Sequence, residues 1–121
     1  MITNQHILDT TVYGEPSGNY DGSSQDWLSD AVKAANYYRG RGGLQTVTFR
    51  VTDFEGTIYV EATLDTVPET ATWFRTYTFG DGSTTPVTDY HPAPITGNFA
   101  WMRCRVEGFS GGTIEFVDIS Y

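Results

Sequence analysis

Residues 45–52 and 57–64 alternate apolar and polar side chains with a period of two, and this narrows the fold more than any other feature of the chain. Val47, Phe49 and Val51 share one side of the first run, with Thr46, Thr48, Arg50 and Thr52 on the other. Only an extended strand with one buried face has that period. Thr57–Leu64 repeats it, with Ile58, Val60, Ala62 and Leu64 directed inward. The Glu55–Gly56 step between the runs predicts a hairpin turn.

More strands follow over 73–79, 99–106 and 113–121. Gly80–Ser83 reads as a turn, Asp65–Glu69 as a connection around Pro68, and Gly108–Gly112 as a connection carrying Phe109. Residues 84–94, with Pro86, Pro92 and Pro94, read as an edge strand or loop. The last strand changes parity between Phe116 and Val117, which implies a bulge or burial on both faces. Trp27, Leu28, Ala31, Val32 and Ala35 fit a short helix capped by Ser23 or Ser24, although a surrounding sheet competes for the same residues. Residues 1–22 read as an N-terminal arm or edge strand anchored by Ile7, Leu8 and Val12, and 23–121 as the sandwich domain. The expected architecture is all-β: an antiparallel, jelly-roll-like β-sandwich with at most one short helix near 24–36.

The chain has 121 residues, enough for one domain, and a formal net charge of -8. That sign argues against binding a phosphate backbone. No apolar run reaches the ~20 residues of a membrane span. Met1–Val12 lacks the charged and apolar regions of a secretory signal. The single cysteine, Cys104, excludes an intrachain disulfide, and its parity with Ala100, Met102 and Val106 marks it as a buried thiol. His6 and His91 lack ligand-spaced companions, so neither a metal nor a cofactor is expected.

Nor does the chain read as an enzyme. Ser110–Gly112 lacks the pattern of a nucleophile elbow, and Gly40–Gly43 precedes a strand where a phosphate loop would open a helix. Asp53/Glu55 and Glu61/Asp65 are the nearest approach to paired carboxylates. Asn19–Asp26 has the oxygens for a calcium loop but not its spacing, and reads as an Asx-rich turn.

The outward positions carry a different signal. Phe99, Trp101, Arg103 and Arg105 share one strand face, and Trp73, Arg75, Tyr77 and Phe79 share another. Six of the seven cations are arginine, with Lys33 the only lysine. A face rich in Trp, Tyr, Phe and Arg has the composition of a protein–protein contact. Trp73, Arg75, Tyr77, Phe99, Trp101, Arg103 and Arg105 are therefore the candidate partner-binding residues. The competing interpretation buries the tryptophans in the core and leaves the arginines at sheet ends. An alternative function for the same aromatics is a carbohydrate-binding platform for host surface glycans.

From Tyr37 onward, about two thirds of the chain resembles virion structural proteins of tailed bacteriophages, of the marine cyanophage type. The residues that carry the resemblance begin with Tyr37–Gly40, Gln45–Val47 and Phe54–Asp65. They continue through Pro68, Trp73–Phe74, Ile95–Arg103 and Gly112–Ile114. The resemblance implies a non-enzymatic subunit of capsid decoration, neck, tail or fibre, assembled in the host cytoplasm and located in the virion. Its implied partners are other virion proteins or further copies of itself. The missing disulfide suits a reducing compartment, and the acidic charge suits a soluble free subunit.

Overall fold

A computed structural model describes residues 4–35, 37, 43–80 and 85–121. The strands are β1 (Asn4–Leu8), β2 (Thr11–Val12), β3 (Trp27–Leu28), β4 (Val32–Lys33), β5 (Leu44–Thr63), β6 (Phe74–Phe79), β7 (Val87–Thr96) and β8 (Trp101–Ser120). Among the described residues the only helical piece is a 3₁₀ turn at Pro68–Thr70. All pairings are antiparallel.

The spine is the pair β5 and β8, which run side by side from Thr46↔Ser120 to Thr63↔Trp101. Both turn a corner midway, where the register shifts around Asp53–Thr57 opposite Glu107–Thr113. Positive φ angles mark the bend: 51° at Asp53, 146° at Gly56, 66° at Gly108 and 82° at Gly112. Beyond the corner the sheet folds back over itself. The first layer is β1–β8–β5–β7 and the second is β3 and β4–β8–β5–β6. Each long strand contributes one half to each layer. The chain therefore passes from first layer to second in β5 and back in β8, so that one continuous antiparallel sheet supplies both layers of a sandwich-like fold.

Inward alternation fills the space between layers. Val47, Phe49, Val51, Val117 and Ile119 face Ile58, Val60, Met102, Cys104 and Val106, and all are buried. Phe49 stacks on Phe79 at 4.7 Å between centroids, and Tyr77 Oη is 2.7 Å from His91 Nε2 across the layers. At the corner Phe109 and Phe54 pack at 5.8 Å, and Tyr20 covers Phe109 at 5.2 Å. Full burial of each such aromatic stabilises the fold by about 1.5–3 kcal/mol.

Several expectations are corrected. Glu55–Gly56 is not a hairpin turn, and Gly108–Gly112 is not a connection. Each is a bulged corner inside one continuous strand, because both layers offer partners to the chain on either side. Residues 24–36 hold no helix in their described part. β3 and β4 pair with β8, and Ser29 N donates to Cys104 O at 2.9 Å while Ala34 N donates to Ala100 O at 2.9 Å. Unpaired carbonyls along that edge offer backbone bonds that an isolated three-turn helix could not match by propensity. Leu64 lies beyond the end of β5 and is 65% exposed, not buried.

Residues 4–8 form an edge strand on β8, so they are held by their own sheet and do not extend as an arm. β7 is also an edge strand, where Pro92 and Pro94 are tolerated. The parity change near Phe116 is a bulge, since Arg50 pairs Phe116 while Val51 pairs Ile114. The Gly80–Ser83 turn and the Gly40–Gly43 segment fall largely outside the described residues.

Candidate functional site

Strand alternation in β8 turns Trp101, Arg103 and Arg105 to the outside of the second layer while Met102, Cys104 and Val106 turn inward. On the neighbouring β5, Glu61 pairs Arg103 and lies between the two guanidinium groups. Its carboxylate accepts from Arg103 Nε at 2.7 Å and from Arg105 Nε at 3.0 Å. Glu61 is only 6% exposed. Burial alone would raise its pKa, but the hydrogen bonds and charges of Arg103 and Arg105 outweigh that and hold it below the usual glutamate value. The arginines therefore find a counter-charge within the chain.

Aromatic rings lie over this ionic centre. The Arg103 guanidinium sits 4.2 Å from the Trp73 ring centroid and that of Arg75 sits 3.7 Å from Tyr59. Trp101 donates its indole N–H to Thr66 O at 3.0 Å and meets Tyr37 edge-on at 5.1 Å. Phe99 meets Phe74 edge-on at 5.5 Å. Five of the seven residues singled out in the sequence thus gather on one outer face, while Phe99, at its end, is half-buried and packs against the core. Tyr77 departs further. A bulge in β6 sets Tyr77 opposite Val60 and Arg75 opposite Glu61, so two residues of equal parity point to opposite faces. Tyr77 stacks on Phe49 inside the sandwich, at 5.7 Å.

At the end of this layer Trp73, Trp101 and Arg103 line an open groove of about 430 Å³ together with Asp30, Pro68 and Glu69. Sequence reasoning missed Asp30 and Glu69, which are isolated acids in loops with no motif around them. Beside the groove, Leu64, Val67 and Phe74 are 65%, 52% and 40% exposed, an apolar rim that strand patterning does not predict. Phe74 is paired with core-facing Ala62 and meets Phe99, so the rim borders the inner side at the end of this layer, whereas Trp101, paired with Thr63, is turned outward.

The other candidates resolve into structural roles. Asp21 accepts from the backbone N–H groups of Ser23 at 2.8 Å and Ser24 at 2.7 Å, an Asx turn that lowers its pKa from 3.8 to about 2. Asp65 accepts a hydrogen bond from Thr72 N at 2.9 Å. Cys104 is fully buried; burial first, and the nearby Glu61 charge second, push its thiol well above the ordinary value. Among the described residues no group of three His, Cys, Asp or Glu is placed to hold a metal ion. No described helix is long and apolar enough to cross a membrane.

No protein-family model matches the chain, and no curated protein matches it significantly.

Proposed function

We propose that this sandwich-like protein is a non-enzymatic structural subunit of a tailed-phage virion, held to its neighbours by non-covalent contact at the end of the second layer. The apolar rim of Leu64, Val67 and Phe74, set beside half-buried Phe99 and Trp101, is the observation that carries this reading. Large apolar side chains gathered at one end and flanked by aromatics and arginine match the core of a protein interface. The charge of the outer face supports the same reading: Glu61 offsets one of the two arginine charges it bridges, and the positive charge that remains complements an acidic group on a partner. The resemblance to phage structural proteins gives the particle its type.

The test is incorporation into particles. Leu64→Ser combined with Phe74→Ser should lower the copy number in purified virions by tenfold or more, about 1.4 kcal/mol or greater, read by quantitative mass spectrometry. Both residues are exposed enough for the isolated subunit to keep its melting temperature. Unchanged incorporation, or absence of the unmutated chain from the particle, would overturn the reading.

A further inference from the structure

We propose that the groove between Trp73 and Trp101 is a binding site for a neutral pyranose chain. This inference does not depend on the virion reading, which rests on the adjoining rim.

A volume of about 430 Å³ falls in the range of sites that hold small ligands. Its lining combines two large flat indoles with a few polar groups. An indole ring offers an apolar plane of the kind that the C–H face of a pyranose can cover. Carboxylates accept the hydroxyl hydrogens at the sugar's edge. The Glu69 carboxylate and the Trp73 indole N–H have no hydrogen-bond partner among the described residues, and both border the groove. The other lining groups are already fixed. Trp101 is tied to Thr66, Arg103 to Glu61 and over Trp73, and Asp30 accepts from Asn19 Nδ2 at 3.0 Å. Binding therefore orders few side chains, which favours affinity for a weakly held ligand.

Charge selects among sugars. Asp30 and Glu69 face the groove against the single charge of Arg103, which shares the Glu61 carboxylate with Arg105. The local field is negative, so uronic and sialic acids are repelled and neutral hexoses are favoured.

The chain has three tryptophans, and the third, Trp27, is a built-in control, because it is buried near Phe109 at the corner, 6.4 Å between ring centroids. Cellohexaose, maltohexaose, laminarihexaose, mannohexaose and chitohexaose are titrated singly to ~10 mM against the ¹⁵N-labelled chain, with oligogalacturonate as the acidic comparison. At least one neutral oligosaccharide should move the indole N–H resonances of Trp73 and Trp101 and leave that of Trp27 in place. Trp73→Ala should weaken binding at least tenfold, and Glu69→Gln, at an exposed position, should weaken it severalfold without altering the spectrum of the free protein. The proposal is overturned if no neutral sugar shifts these resonances, if the acidic one binds as well, or if binding survives both substitutions unchanged.

Discussion

Glu61 is the residue on which the outer face turns. It sits where alternation in Thr57–Leu64 assigns a solvent-facing position, yet it is buried, because Arg103 and Arg105 close over it. No one-dimensional pattern locates that contact, since the partners lie 42 and 44 residues away. Glu61→Gln should cost about 1–3 kcal/mol at neutral pH, toward the lower end because the arginines keep 19% and 34% of their side-chain exposure. The sign with pH follows from linkage. A carboxyl whose folded pKa is lowered contributes stability above its unfolded value, 4.5, and loses it as pH falls through the folded value. Urea unfolding at pH 7 and at pH 3 should show the gap between parent and variant shrinking in acid. A gap of constant size would contradict the ion-pair account. Asp21 behaves with the same sign, its contribution fading from 3.8 toward about 2.

At the scale of elements, the sandwich depends on the corners in β5 and β8. Gly112 has φ 82°, and a Cβ there would run into the Asp53 carbonyl on the facing strand. Gly112→Ala should lower stability by at least about 3 kcal/mol, seen as a large drop in urea midpoint or a failure to accumulate folded protein. A variant melting like the parent would mean that the corner is not a constraint. The sequence displays these glycines plainly, but a glycine within an alternating run is equally compatible with a hairpin turn or a strand corner. What separates the two is whether the following run pairs with the preceding one or with a distant strand. Here β5 pairs with β8 on both sides of the corner, so the chain bends and continues. The same competition converts the helical stripe of residues 27–35 into β3 and β4. Trp27 is buried in either case, but Ala34, which lies outside the helical stripe, is buried only once the segment pairs with β8.

For the whole molecule, the two layers share one core, so they should open together. Cys104 lies at its centre and reports on that event. Thiol labelling by an aromatic disulfide should be negligible in the native state and should accelerate with urea in step with global unfolding. Labelling without denaturant at the rate of a free thiol would mean that one layer opens alone. The sequence by itself determined the strand content, the inward faces of β5 and β8, the buried cysteine and most members of the outer aromatic and arginine face. Those follow from period-two burial and residue chemistry, which act within a strand. Only the tertiary structure decided where strands bend, that Glu61 bridges two arginines, that Tyr77 turns inward at a bulge, and that Asp30 and Glu69 meet two tryptophans in a groove. Each of these joins residues distant in sequence. Their energies come from backbone partners and counter-charges supplied by another part of the chain, which local patterning does not encode.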